Sequence, residues 1–230
     1  MLTFLGYTLI FLALLVSLYL VIRPAASSQP FLRTAAMGTQ SSPFLLLSLS
    51  FLLEATSLDL VSSYVGEGLP LLYRISAVWG SRSGPLLMWA SMMSVIAWLM
   101  SRDRTTDGAT IRIMHLWTFL LLLISAGLRP FSPAIPGSAG EISPLLQTDL
   151  MVIHPPVVFV YYSLCLATAS IAVSGLIRSR PSNETHASMI PWARYSFLAG
   201  TIGIGLGGLW AYTVLDWGGY WAWDLSLIHI

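Results

Sequence analysis

The chain has 230 residues, of which 56% are hydrophobic and 9% charged, against about 25% charged in a soluble domain; its mean hydropathy is +0.76. That composition excludes an ordinary water-soluble globule. Eleven arginines, with no lysine, against ten acids give a formal charge of +1, which excludes the basic excess that nucleic-acid binding requires. The single cysteine, Cys165, excludes an intramolecular disulfide or a cysteine zinc site and, inside an apolar run, reads as a small packed hydrophobe.

A spanning helix needs about 20 mostly apolar residues, and six stretches approach that. In chain order they are 2–22, 43–58, 83–101, 113–128, 150–177 and 195–215; the second is interrupted by Glu54 and the fourth is short. The first lacks the basic start and the small-x-small cleavage site of a signal peptide, so a retained helix is expected. The composition and the spans together predict an all-α, polytopic transmembrane helical bundle of about six helices.

Orientation follows from the arginines, because loops on the cytoplasmic side hold the excess positive charge. With the N-terminus extracytoplasmic, the inner loops hold Arg23, Arg33, Arg102, Arg104, Arg112, Arg178, Arg180 and Arg194, and the outer ones Arg74, Arg82 and Arg129. The outer loop 129–149 carries Pro130, Pro133, Pro136 and Pro144, which predicts a stiff, non-helical connector. The inner loops 102–112 and 178–186 read as short polar turns. Asn183-Glu184-Thr185 in the second matches a glycosylation sequon that this topology places on the wrong face. There is no internal repeat.

Three features could carry chemistry, all toward the outer face. The densest is 210–224, with Trp210, Trp217, Trp221 and Trp223 among Tyr212 and Tyr220. Aromatic residues settle at membrane interfaces without further function, which accounts for one or two of them. Gly218 and Gly219 beside several large rings would let a flat ligand approach the backbone: a haem, a lipid or a quinone. The second feature is Ile153-His154-Pro155-Pro156, where prolines tolerated in a first helical turn predict that the fifth helix begins. His154 at that lip is either an axial ligand for iron or an interfacial histidine. His115 and His186 are weaker candidates. The third feature is Glu54, an acid near or inside the membrane, read as structural. Arg74 and Arg82, near Trp79, either meet anionic groups such as haem propionates or are solvated.

Trp217-Gly218-Gly219-Tyr220-Trp221-Ala222-Trp223-Asp224 resembles the tryptophan-rich WWD signature of the haem-handling proteins of cytochrome c maturation. Alone, it would leave the CcmC and CcsA exporter branches open. Trp79-Gly80-Ser81-Arg82-Ser83-Gly84-Pro85-Leu86-Leu87-Met88-Trp89 is similar to the W-G-x-x-x-G-S-L-L-L-W stretch of the CcmF and NrfE branch, and Pro144-Leu145-Leu146-Gln147 followed by His154-Pro155-Pro156 is similar to its N-P-L-L-Q and H-P-P segments. The resemblance implies a haem lyase subunit that receives b-type haem outside the membrane from a CcmE-like chaperone. It would position that haem for thioether attachment to the C-x-x-C-H motif of apocytochrome c, beside CcmH-like subunits. It implies His154 as an axial ligand of the haem iron, and the segment with Trp210, Trp217, Gly218, Gly219, Tyr220, Trp221, Trp223 and Asp224 as the haem platform. No residue of the chain is expected to be catalytic in its own right.

After Asp224 the family continues with Pro, a variable residue, Glu and Asn, whereas this chain reads Leu225-Ser226-Leu227-Ile228-His229-Ile230. That hexapeptide resembles translated transposase-end adaptor from sequencing-library preparation and is set aside. Residues 1–224 are then expected to be the N-terminal part of a longer membrane domain, inactive alone. The rival readings are a transporter or channel fragment, with Glu54 and the prolines along a substrate path, and a purely structural membrane subunit.

Overall fold

The computed structural model describes residues 1–214 apart from 67, 104, 105 and 138. Eight α-helices follow one another: α1 (Leu2–Ile22), α2 (Pro30–Leu52), α3 (Asp59–Ser62), α4 (Leu71–Gly80), α5 (Gly84–Arg102), α6 (Gly108–Gly127), α7 (Asp149–Ile177) and α8 (Ser182–Thr213), with 3₁₀ turns at Pro24–Ser28 and Pro144–Leu146. No strand occurs among the described residues, and the expected all-α bundle is what forms. Each predicted stretch overlaps one of the six long helices, although the second runs past the end of α2 at Leu52, so that Glu54 lies beyond the helix. Four of them, α1, α5, α6 and α7, are long and apolar enough to cross a membrane.

The second helix starts earlier than its hydropathy predicts. Pro30 occupies its first turn, where a missing N–H is harmless, and Pro43 lies inside it. Pro43 cannot donate to the Thr39 carbonyl four residues before, and the Ser42 hydroxyl donates to that carbonyl instead at 2.8 Å. A local hydroxyl thus offsets the defect that sequence patterning reads as a boundary.

The helices pack through apolar side chains such as Leu47, Phe51, Met93, Met100, Met114 and Leu122, all fully buried. Some of the polar groups enclosed with them bond to one another across helices. The Gln40 amide donates to Ser17 Oγ at 2.9 Å and to His115 Nδ1 at 3.1 Å, and Ser41 meets Ser94 at 2.9 Å. His115 is therefore a packed, satisfied histidine. Apolar side chains of α1, among them Phe4, Phe11 and Tyr19, remain exposed as a lipid-facing surface would be.

At one end of the bundle, the segment after α2 and the proline-rich loop after α6 are joined by main-chain hydrogen bonds. Asp59 N donates to Ser132 O at 3.0 Å, Ala134 N to Ser57 O at 2.9 Å and Ile142 N to Tyr64 O at 3.1 Å. The connector is non-helical except for its short 3₁₀ turn, and backbone pairing stiffens it as much as its prolines do.

At the opposite end, Asp107 caps α6 and ties three elements together. Its carboxylate accepts from Ala109 N at 2.9 Å, Thr110 N at 3.0 Å, Ser174 Oγ at 2.7 Å and Arg180 Nη1 at 3.3 Å, with Arg178 3.7 Å away. Arg180 arrives there because α7 ends in a left-handed Ser179, φ 51°, with Arg180 N donating back to Gly175 O at 3.0 Å. Burial alone would raise the Asp107 pKa, but the hydrogen bonds from Ser174, Thr110 and Ala109 outweigh it and hold the group below its ordinary 3.8. A depressed carboxylate contributes stability that is complete above 3.8 and lost as pH falls through the folded-state value. Asp107→Asn keeps a capping side chain, so the gap in thermal midpoint between wild type and variant in detergent is expected to be present at pH 6 and to close as pH drops below 3.8. A gap that persists into acid would show that the charge contributes nothing.

Candidate functional site

The sequence predicts that α7 starts at its prolines; the structure starts it at Asp149, with Pro155 and Pro156 inside. Two features carry the helix past that point. Thr148 caps it, its hydroxyl accepting from Met151 N at 3.3 Å. Pro155 leaves the Met151 carbonyl without its partner four residues on, and the indole Nε1–H of Trp79, at the end of α4, donates to that carbonyl at 2.7 Å. His154 thus sits within a helix where Trp79 closes the defect left by Pro155, while Pro156 leaves a second at the Val152 carbonyl.

The rest of the tryptophan–glycine motif grips the same helix. A Cβ on Gly80 would lie 3.1 Å from Met151 Cε, and one on Gly84 would overlap the Val78 carbonyl oxygen, so the reversal from α4 into α5 needs glycine. Ser81 Oγ closes that turn, donating to Val78 O at 2.6 Å and accepting from Gly84 N at 3.2 Å. Further along α5, Trp89 packs on Phe159 and Tyr162 of α7, with ring centroids 5.8 and 5.6 Å apart.

The other face of α7 lies antiparallel on a glycine stripe of α8. Gly200 faces Tyr161, Gly203 faces Val157 and Val158, and Gly207 faces His154; a Cβ on Gly207 would stand 2.9 Å from His154 Cε1. In that notch His154 Nδ1 is 3.0 Å from the Gly203 carbonyl. A carbonyl only accepts, so Nδ1 carries the proton and the lone pair is on Nε2, the arrangement that prepares an imidazole to ligate a metal. Trp210 meets the imidazole edge-on at 5.7 Å and 70°. Its indole Nε1 is buried and has no partner among the described residues.

Of the residues singled out from sequence, the structure brings His154 and Trp210 together. Trp217, Gly218, Gly219, Tyr220, Trp221, Trp223 and Asp224 lie outside the described residues, as does 225–230. Arg74 pairs with Glu54 at 2.5 Å and donates Nε to Leu69 O at 2.7 Å. Glu54 is the left-handed residue (φ 50°) just beyond α2, where Ala55 N donates to Ser50 O at 2.8 Å. It lies outside the helix, as a helix-end cap anchored by an ion pair, in keeping with the structural reading. Arg82 is 67% exposed and 4.0 Å from Asp59.

Gly203 and Gly207 were not singled out from sequence, although the spacing 200, 203, 207 marks a single helical face.

Haem fits these residues. A single imidazole with its Nε2 lone pair uncommitted would suit an iron that brings its other ligands with it. The orphaned Trp210 N–H is a donor for an anionic substituent of such a group.

Comparison with known proteins identifies the family. The sequence model of the family described as cytochrome C assembly protein matches residues 79–228. The cytochrome c-type biogenesis protein NrfE of Haemophilus influenzae is 31% identical over 78% of this chain and 29% of its own length; CcmF of Escherichia coli is 30% identical over 88% of this chain and 32% of its own. The chain thus spans about a third of the length of these curated relatives. A solved structure titled cytochrome c heme lyase CcmF superposes on 98% of this chain and 38% of that one, with a TM-score of 0.72 at 22% identity, which shows a shared fold. With the helix-sealing tryptophan, the glycine turn and the notched histidine all falling within motifs of one branch, the chain belongs to the cytochrome c assembly protein family as a CcmF/NrfE-type subunit, of which it represents part.

Proposed function

We propose that the chain is the haem-receiving part of a cytochrome c maturation subunit in the cytoplasmic (inner) membrane. The observation that carries this reading is the His154 notch: an imidazole with Nδ1–H committed to Gly203, Nε2 left to ligate, and Trp210 beside it. The arginine asymmetry puts the His154 end on the extracytoplasmic side, where a haem chaperone of the CcmE type delivers and apocytochrome c is met, with CcmH-like subunits alongside. The haem supplies its vinyl groups, across each of which a cysteine S–H of the apocytochrome adds, the sulfur and the hydrogen going to adjacent carbons with no net oxidation.

The chain's own residues orient and protect. Gly203 fixes the imidazole tautomer, Gly207 makes room for the ring, and Trp79 holds the helix carrying it. The rings and glycines of 217–224, ending at Asp224, serve as the platform, and Arg74 and Arg82 stand at the same end of the bundle as candidates for propionate or partner contacts. The test is the absorbance of the purified full-length protein. Wild type is expected to show a Soret band and His154→Ala to lose most of it while remaining monodisperse; an undiminished band in the variant, or no band in wild type, would overturn the reading.

A further inference from the structure

The ion pairs between described residues use Arg74, Arg82, Arg178 and Arg180. Arg33 of α2 and Arg102 of α5 have no carboxylate within ion-pair distance among those residues, Asp103 included, and they meet at the end of the bundle opposite His154. Arg33 Nη1 donates to the Ser101 carbonyl at 2.8 Å, the one partner of its guanidinium among the described residues, and its Nε–H is enclosed with none. Arg102, the next residue, lays its guanidinium over the Trp98 ring, 4.7 Å from the centroid, a contact that occupies its face and leaves its N–H donors at the rim. Trp98 is itself held to α2, its Nε1–H donating to Thr34 Oγ1 at 3.2 Å. Arginines that only orient a chain in the membrane need nothing beyond exposure. These two are placed by a carbonyl and a ring at the same turn of α5, with charge left over.

That turn is graded as a lipid is. α5 is long and apolar enough to cross a membrane and Arg102 is its last residue, which puts the guanidinium at the depth of headgroup phosphates. Trp98 stands one turn deeper, a residue type that settles at the interface. Val95, Leu99 and Arg102 follow one another at spacings of four and three, so they share a helix face, and both Val95 and Leu99 are exposed. From the end of α5 inward, this face offers a cation, a ring and apolar surface, the order of phosphate, glycerol and acyl chain in a phospholipid. Two guanidiniums without a carboxylate partner call for an anion, and their planar forks of N–H donors match phosphate oxygens. A headgroup with its own ammonium would bring a further cation beside two that already lack a counter-charge.

We propose that Arg33, Trp98 and Arg102 bind one anionic glycerophospholipid of the phosphatidylglycerol class, its phosphate shared by the two guanidiniums and an acyl chain lying along Leu99 and Val95. Phosphatidylcholine and phosphatidylethanolamine present the same phosphate with a compensating positive charge, so the site discriminates by net charge. It is independent of the haem reading.

The test is native mass spectrometry of the full-length protein from nanodiscs of equimolar dioleoyl phosphatidylglycerol, phosphatidylcholine and phosphatidylethanolamine. One phosphatidylglycerol is expected to survive delipidation, with its occupancy at least about tenfold lower in Arg33→Gln and in Arg102→Gln, the loss that removing a charge-assisted hydrogen bond causes. Arg102 is exposed, so its variant folds and keeps the test open should Arg33→Gln misfold. Arg23→Gln removes the same charge from the end of α1 and is expected to keep wild-type occupancy. Equal retention of the three lipids, preference for a zwitterionic one, retention of none, or unchanged occupancy in Arg102→Gln would overturn the proposal. An equal loss in Arg23→Gln would do so too, since net charge rather than a site would then hold the lipid. So would binding of soluble glycerol phosphate as tightly as the lipid, which would identify a soluble ligand.

Discussion

Replacing Gly207 by alanine is expected to weaken haem retention by about 10- to 100-fold, the range seen when groups that orient a metal-ligating histidine are altered. The added methyl would stand 2.9 Å from His154 Cε1, closer than packed carbon atoms approach, so the imidazole must turn out of its notch. Turning breaks the 3.0 Å hydrogen bond to Gly203 O, and with it the tautomer and direction that present Nε2. Global stability should change little, because the displaced group is a partly exposed side chain at a helix surface. The readout is therefore a lost or shifted Soret band at an unchanged thermal midpoint. Gly205→Ala is the matched control: nothing lies within 4 Å of a Cβ there, and removing a helical glycine contributes up to about 1 kcal/mol of stability. If Gly207→Ala binds haem like wild type, the notch does not position the ligand, whatever the role of His154.

Gly84→Ala should act through folding. Its Cβ would overlap the carbonyl oxygen of Val78, and a backbone atom has no alternative rotamer. Relief requires opening the turn between α4 and α5, which also separates Ser81 Oγ from Gly84 N, now 3.2 Å apart. A loss on the order of 3 kcal/mol is expected, the upper part of what overpacking causes. It should appear as a lower thermal midpoint and less monodisperse protein from the same membranes. Gly127→Ala, where a Cβ meets nothing within 4 Å, should lower neither. A Gly84→Ala protein as stable as wild type would mean that the turn relaxes freely and that the motif's second glycine has another purpose.

Both expectations concern residues whose meaning depends on partners distant in sequence. Trp79 and Gly84 were legible as a motif, yet that Trp79 seals the Pro155 defect emerges only when α4 packs beside α7. The same holds for Pro155, whereas the defect at Pro43 is met by its own neighbour, Ser42. Read locally, a proline ends a helix, because its missing N–H leaves a carbonyl unpaired. A donor from elsewhere can reach that carbonyl and ease the interruption, and at Pro155 the sequence around His154 does not contain that donor. Glu54 likewise reads as a charge inside a span, but becomes a helix-end cap once Arg74 is brought beside it.

The sequence by itself determined that the chain is an all-α membrane bundle, because hydrophobic stretches of bilayer length need no partner to be recognised. It also pointed to His154 and Trp210, through the histidine–proline and tryptophan-rich motifs that hold them. Only the tertiary structure decided which nitrogen of His154 keeps an uncommitted lone pair, that a glycine of α8 makes room for the ring, and that Arg74 pairs with Glu54. Burial, hydrogen-bond direction and close approach are properties of pairs, and pairs form only when the helices pack.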